Sequence, residues 1–328
     1  MPRIHGLINA SSRAYGFKST SLSLINGPLV YTLNTTPPTQ LYSLTTDGSL
    51  MVYSYSPSTS YIYRASSPYT SWSSVTTAGP YRYSVKYLGG VYLNFGGSND
   101  GSINRSTDAV NWSSCAIGGN GGSTSSYMVY NATRNEWVAG CGSWVATNCV
   151  RKSTDATNFG ISYTYPSGTS GDTAIATSGL NNASAYMFAM TTSSSSVMLS
   201  VARSQDASSW TESNWISLNG SSRVRFLEYF NGRYWLCNDN NVLGTTTDGL
   251  TWTNVSYTNL DFQMRGAGSF IIGGTICYYI SGDNALALSL DGINWVKKTH
   301  SFSTLSNFIS ISGSVYCIDS NKIIGITF

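Results

Sequence analysis

A short phrase returns along this chain at nearly constant spacing and always ends in an aromatic residue. It reads Ser106-Thr107-Asp108-Ala109-Val110-Asn111-Trp112, then Ser153-Thr154-Asp155-Ala156-Thr157-Asn158-Phe159. It returns as Ser204-Gln205-Asp206-Ala207-Ser208-Ser209-Trp210, as Thr246-Thr247-Asp248-Gly249-Leu250-Thr251-Trp252 and as Ser289-Leu290-Asp291-Gly292-Ile293-Asn294-Trp295. A degenerate copy without the aspartate ends at Trp72. The aromatics stand at 72, 112, 159, 210, 252 and 295, in steps of 40, 47, 51, 42 and 43 residues. Self-similarity at this period marks a repeat architecture, in which each unit covers its neighbour.

Each period holds about four short β-prone runs separated by Gly, Asn, Asp or Ser turns. The second period is the clearest. Tyr83–Leu88, Val91–Phe95, Ser102–Ser106 and Asn111–Ile117 read as four strands, with Gly89-Gly90, the 96–101 turn and the Asp phrase between them. Four antiparallel strands per period describe a propeller blade. No segment keeps a helical period over ten residues. The cut predicts six complete blades at 40–77, 80–118, 126–164, 172–216, 222–257 and 262–299. Three strands remain near the C-terminus (308–311, 314–318 and 322–326) and one near the N-terminus (28–33). Joining them makes a seventh blade, because an incomplete terminal blade leaves an open ladder. The expectation is therefore an all-β, seven-bladed propeller of four-stranded antiparallel blades, its last blade closed by the N-terminal strand. Residues 26–328 form the propeller domain. Residues 1–25 lie outside it as a tail or an arm, with Leu22, Leu24 and Ile25 as alternating apolar anchors.

The aspartate of the phrase sits in the turn between third and fourth strands, where its carboxylate can accept backbone N–H groups as an Asx-turn. Gly249 and Gly292 follow their aspartates and tolerate positive φ. The closing Trp or Phe can cover the hairpin. Asp108 with Trp112, Asp155 with Phe159, Asp206 with Trp210, Asp248 with Trp252 and Asp291 with Trp295 are thus structural candidates. The pattern Ser-x-Asp-x-Gly-x-x-Trp resembles the Asp-box, or BNR repeat, of sialidase-type β-propellers. The copies at 248 and 291 match it best; those at 108, 155 and 206 carry Ala for Gly, and the copy at 64–72 has Ser67-Pro68 instead. The resemblance spans about 250 residues. It implies the fold and places the Asp-box on the outer side of a blade, away from the central site.

Charged residues make up only 10% of the chain, and net charge is +3. The six lysines and twelve arginines form no run longer than Lys297-Lys298, so no nucleic-acid footprint is expected. The histidines are His5 and His300, and the cysteines (Cys115, Cys141, Cys149, Cys237, Cys277 and Cys317) fit no metal spacing. No metal and no cofactor are expected. Cys141 and Cys149 flank a hairpin and could face each other; the other reading is buried thiols packed as small hydrophobes. No stretch reaches the roughly 20 apolar residues of a membrane span. The start lacks the apolar core of a signal peptide, so release by lysis of a phage-infected host is the expected route out of a cell.

A catalytic reading needs acids. Glycosidases of the common kind use two carboxyl groups flanking the bond, and the resemblance implies an arginine triad with a Tyr–Glu nucleophile for sialidases. The glutamates are Glu136, Glu212 and Glu228, five of the twelve aspartates stand in the repeated turn, and the Phe-Arg-Ile-Pro signature is missing. Glu228, beside Tyr229 with Arg223 and Arg225 near in sequence, is the best catalytic candidate; the competing reading is a structural Glu–Arg pair. The fold does not carry function, and the reading adopted is non-enzymatic. Low charge and abundant Ser, Thr, Gly and Tyr resemble bacteriophage tail or capsid-decorating proteins. That implies a structural or host-attachment component of the virion, present in several copies. Its expected partners are other virion proteins, through the N-terminal arm, and host surface polysaccharide. Aromatics for stacking on sugar rings are Tyr127, Trp144, Tyr163, Tyr165, Trp215 and Tyr257, each with core packing as its competing reading. The alternative is a sialidase-like glycoside hydrolase. A WD-type or kelch-type scaffold ranks lower, since no Trp-Asp dipeptide closes a strand. Gly118–Gly122 lacks the lysine and helix of a phosphate loop.

Overall fold

The structure is a computed structural model that describes residues 25–35, 41–55, 61–77, 84–95, 103–117, 124–141, 149–164, 173–177, 186–191, 199–213, 224–320 and 322–328. β1 (Val30–Thr35) comes first. β2 (Leu41–Thr46), β3 (Leu50–Tyr55), β4 (Tyr61–Ser66) and β5 (Ser73–Thr76) form one antiparallel sheet in chain order. β6 (Ser84–Leu88), β7 (Val91–Phe95), β8 (Asn104–Ser106) and β9 (Ser113–Ser114) form the next, followed by the short β10 (Ala116–Ile117). Then come β11 (Thr124–Asn131), β12 (Glu136–Cys141), β13 (Cys149–Ser153) and β14 (Asn158–Thr164). The fourth sheet is β15 (Thr173–Thr177), β16 (Tyr186–Thr191), β17 (Leu199–Ser204) and β18 (Trp210–Ser213). The fifth is β19 (Val224–Phe230), β20 (Arg233–Asn238), β21 (Leu243–Thr246) and β22 (Thr253–Val255). β23 (Met264–Ile272), β24 (Thr275–Ser289), β25 (Val296–Ile311), β26 (Ser314–Asp319) and β27 (Lys322–Thr327) complete the chain.

The first strands of successive sheets stand side by side around a common centre. β2 neighbours β6, then β11, β15, β19, β23 and the second half of β25 follow, and β25 returns to β2. Burial falls from the middle of a blade outward. All five residues of β7 are buried, whereas the outer strands β5, β9 and β22 are largely exposed. Second strands are covered on both faces by adjoining blades, so they read as near-continuous apolar runs rather than alternating ones. The contacts between blades are hydrophobic clusters shared by two sheets. Val52 and Ile62 of one blade meet Val85, Tyr92 and Ala109 of the next, for example.

This arrangement corrects the seven-bladed expectation. Five blades stand as separate sheets, built on β2–β5, β6–β9, β11–β14, β15–β18 and β19–β22. The arc predicted to hold two further blades is one continuous six-stranded sheet, ordered β1-β27-β26-β25-β24-β23. The reason lies in residues 300–307, read as a gap between blades. They contain no Gly or Pro, and β25 runs through them for 16 residues. Its first half pairs with β24 and its second half, from Leu305, with β26. Blade strand counts differ too. The strand predicted at 111–117 is broken after Ser114, and its end, β10, pairs in parallel with β14 of the next blade, making that sheet five-stranded.

The N-terminal strand pairs antiparallel with the C-terminal one, from Val30 opposite Thr327 to Thr35 opposite Ile323. Ile25, the last residue of the expected arm, is buried in the cluster that holds Phe270, Leu288, Phe308 and Val315. Lys298 Nζ donates to the carbonyls of Asn26 and Gly27 at 3.0 and 2.8 Å and clamps the entry of the chain. Residues 1–24 lie outside the described residues. Truncating the Ile25 side chain should leave a cavity in this cluster, so Ile25→Ala should cost about 2–5 kcal/mol. Chemical denaturation should show it as a lower midpoint at unchanged slope; an unaltered midpoint would place Ile25 outside the core.

Candidate functional site

The five Asp turns share one geometry. The side-chain Oδ1 of Asp291 accepts the backbone N–H of Ile293 at 2.8 Å and of Asn294 at 2.7 Å, and the hydroxyl of Ser289 at 3.0 Å. Asp108, Asp155, Asp206 and Asp248 accept the corresponding three donors. For Asp108 and Asp155 the N–H groups of Asn111 and Asn158 are the largest cause holding the carboxyl well below the usual range. For Asp206, partial burial works against ionisation, but the N–H groups of Ser209 and Ser208 win and lower it to about 2. These carboxylates are saturated acceptors on the rim of the molecule, which suits structure and not proton transfer.

Each closing aromatic packs on the preceding sheet. Trp112 lies against Val52 and Ile62, Phe159 against Leu93 and Phe95, Trp210 against Val138 and Val150, and Trp252 against Val201. Trp295 stacks edge-on to Phe230 and Trp235. A polar link, which the sequence did not announce, accompanies this packing. Lys152 Nζ donates to Asp206 O at 3.2 Å, Arg203 Nη1 to Asp248 O at 3.2 Å, and Asn231 Nδ2 to Asp291 O. The Asp turns at 206, 248 and 291 are therefore latches between blades as well as hairpin locks. The alanines that replace glycine at 109, 156 and 207 adopt φ of 58°, 56° and 54°. Their methyl groups are wholly buried on the preceding blade. A buried methyl is worth about 0.8 kcal/mol, which offsets most of the roughly 1 kcal/mol left-handed penalty. A similar turn sits at Asp47, whose Oδ1 accepts the N–H of Ser49 and Leu50, but it joins the first two strands of its blade.

The remaining candidates disperse. Glu136 is buried, accepts the hydroxyl of Tyr186 and lies 3.8 Å from Arg134 Nε. Tyr163 packs on Trp210 and Tyr257 on Trp235 and Trp295, as core aromatics do. Arg223, Trp144, Tyr165, Trp215 and the side chain of Glu212 lie outside the described residues. Cys141 and Cys149 are register partners across β12 and β13, and Cys149 is buried. Burial pushes the thiols of Cys115, Cys237 and Cys277 up to about 12, which keeps them unreactive at neutral pH. Among the described residues no group of three potential metal ligands occurs.

Two candidates, Tyr127 and Glu228, meet in the central channel. A cavity of about 550 Å³ opens there, walled by the first strands of the blades. Tyr42, Tyr87, Tyr127 and Tyr279 line it with Ser43, Ser84, Ser281, Ser306 and Asn307. Its volume lies within the roughly 300–1,000 Å³ of small-molecule pockets. Lys86 on β6 and Glu228 on β19 face the cavity from different blades. Tyr127 donates its hydroxyl to Arg225 O at 3.1 Å and so ties β11 to β19. Arg225 pairs with Asp239, and Arg265 makes a two-pronged bond to Asp283, Nε to Oδ1 at 3.1 Å and Nη2 to Oδ2 at 2.9 Å. Glu228, by contrast, has no hydrogen bond or ion pair among the described residues. Burial pushes its carboxyl up to about 7, although the Lys86 ammonium pulls the other way. Burial also lowers Lys86, opposed by Glu228. Lys86 is the residue that sequence reasoning missed; a lone lysine on a first strand carries no motif.

No family model and no curated protein matches the chain. Solved structures do. Virginiamycin B lyase from Staphylococcus aureus superposes with a TM-score of 0.67 at 12% identity, over 92% of this chain and 99% of the other. YCF48 bound to D1 peptide gives 0.60 at 13% identity, over 92% and 97%. The WD40 β-propeller domain of Doa1 gives 0.60 at 13%, over 90% and 96%. The fold is a β-propeller.

A Cβ on Gly292, at φ +67°, would lie 2.8 Å from the Asn231 amide that latches Asp291. Gly292→Ala should therefore destabilise by more than 1 kcal/mol, roughly the left-handed penalty alone. Ala156→Gly, which loses a methyl but relieves strain, should change stability by less than about 1 kcal/mol. Equal effects in parallel urea titrations would contradict this account of the latch. Glu228 makes a separate prediction. The folded state holds its proton more tightly than the unfolded one, so ionisation costs stability as pH rises from 4.5 through about 7. Glu228→Gln should raise the melting temperature by about 2–4 °C at pH 8. The gain should vanish near pH 4.5, and a gain independent of pH would point to packing instead.

Proposed function

We propose that this propeller is a non-enzymatic component of a bacteriophage particle that holds structure and recognises host surface polysaccharide. The composition supports the particle setting: the chain is only 10% charged and rich in Ser, Thr, Gly and Tyr. The repeated Asp turns, read as Asp-boxes, support a rigid extracellular scaffold. The observation that carries the recognition role is the channel wall. Tyrosine rings, hydroxyls and one ammonium surround a cavity of ligand size. Aromatic faces stack on the C–H faces of sugars while hydroxyls and amides bond their oxygens. Among the described lining residues Glu228 is the single carboxylate, whereas glycoside hydrolysis of the common kind requires two.

One observation favours a catalytic reading. A carboxyl held near neutrality in a cavity is what a general acid or base requires. The virginiamycin B lyase likeness adds little, since at 12% identity it concerns the fold. Incubating the protein with a panel of bacterial surface polysaccharides, scored for retention and for new reducing or unsaturated ends, separates the two. Retention without fragments is the expected outcome. Fragment release that disappears in Glu228→Gln would establish the enzyme. Immunogold labelling of intact particles should place the chain on the virion, and unlabelled particles would remove that setting.

A further inference from the structure

The channel contains a charge arrangement that its own fold does not use. Arg225 and Arg265 are held by Asp239 and Asp283. Among the described residues Lys86 reaches only one carbonyl, Met128 O, at 3.4 Å, which is long for an ammonium. Glu228 makes no hydrogen bond or ion pair among the described residues, and Lys86 acts on it only across a distance. An ammonium and a carboxyl thus face one cavity from different blades without pairing to each other. Both side chains are only half-buried, and a charge partly withdrawn from water without a hydrogen-bonded counter-charge is costly. We propose that the space between Lys86 and Glu228 is a binding site for a carboxylate-bearing polyol, with a uronic acid unit of an acidic polysaccharide as the form it takes.

This rests on the recognition role proposed above and locates it in the channel. The chemistry runs as a shared proton. The ligand carboxylate pairs with the Lys86 ammonium. Two carboxylates cannot both remain ionised at close range, so Glu228 takes one proton from solvent and donates it in a hydrogen bond to the ligand. No covalent bond forms or breaks. The sugar ring and its hydroxyls meet the tyrosine and serine walls. The other ionisable groups facing Glu228 do not supply that proton at neutral pH. Burial raises Tyr279, and Glu228's own charge adds to the rise. Arg225 and Arg265 are engaged by Asp239 and Asp283. A neutral sugar would meet the same walls without satisfying Lys86, which gives the site its preference.

Titration calorimetry of the full chain with digalacturonate, and with galactobiose as the neutral counterpart, tests the site. It should be run at pH 6 and pH 8 in two buffers of different ionisation enthalpy. The uronate should bind at least tenfold more tightly than the neutral disaccharide. It should take up close to one proton at pH 8 and much less at pH 6. Its affinity should fall about tenfold per pH unit above 7. Lys86→Met should weaken uronate binding at least tenfold without lowering the melting temperature. Glu228→Gln should bind without proton uptake. Equal binding of the two disaccharides, no uronate binding, or affinity indifferent to Lys86→Met would each overturn the proposal. The recognition role fails separately. If Lys86→Met still adsorbs polysaccharide like the wild type, the channel site falls and recognition stands. If wild type adsorbs none but binds digalacturonate, the site stands and polysaccharide recognition falls.

Discussion

A blade of this protein cannot bury either of its faces by itself. Its second strand is apolar on both sides, as β7 shows with five consecutive buried residues. The sheet is therefore stable only between two others, and the last sheet must meet the first. Everything else follows from that requirement. The shared clusters are the stabilising unit, and the Asp turn matters because it aims one aromatic and one small residue at the preceding blade. Its three accepted hydrogen bonds set the hairpin, while the donors from the neighbouring sheet read the carbonyl of the same aspartate. A local turn thus becomes part of a non-local interface.

The ring has one place where this unit is relaxed. Between β23 and β1 the ladder runs unbroken through six strands. Ring closure depends on that sheet, since it pairs the first and last described strands. A continuous ladder adds backbone hydrogen bonds where side-chain packing alone would hold two separate blades. Ile25 and the Lys298 clamp then seal the seam from outside.

The repeat was legible because a turn has strict local demands. An aspartate followed by a left-handed residue and closed by an aromatic leaves a fixed spacing, and the blade boundaries up to about residue 257 follow from it. The six-stranded sheet was not legible. Residues 300–307 carry no Gly or Pro, and only the partner strands decide whether such a run is a gap or a ladder. The departure of β10 to the next blade has the same origin, for two residues carry no strand signal. For the site, Tyr127 and Glu228 were visible as residue types. What unites them with Lys86, some 140 residues before Glu228 in the chain, is the stacking of first strands, which no local pattern records.

Polar economy sharpens the contrast between rim and centre. On the rim every repeated aspartate is satisfied by donors that its own turn supplies, so five acids of this chain are chemically quiet. At the centre, Lys86 and Glu228 are half-buried and line one cavity, and among the described residues their only hydrogen bond is the one from Lys86 to Met128 O. Selection for stability alone would favour apolar or uncharged residues there, because removing both charges from a partly buried pair is commonly neutral or stabilising. Carboxylates that their own turns satisfy serve architecture, whereas the channel residues, left unsatisfied by the fold, suit a ligand. The two conclusions stand on one measure, the number of partners a carboxylate finds inside its own fold.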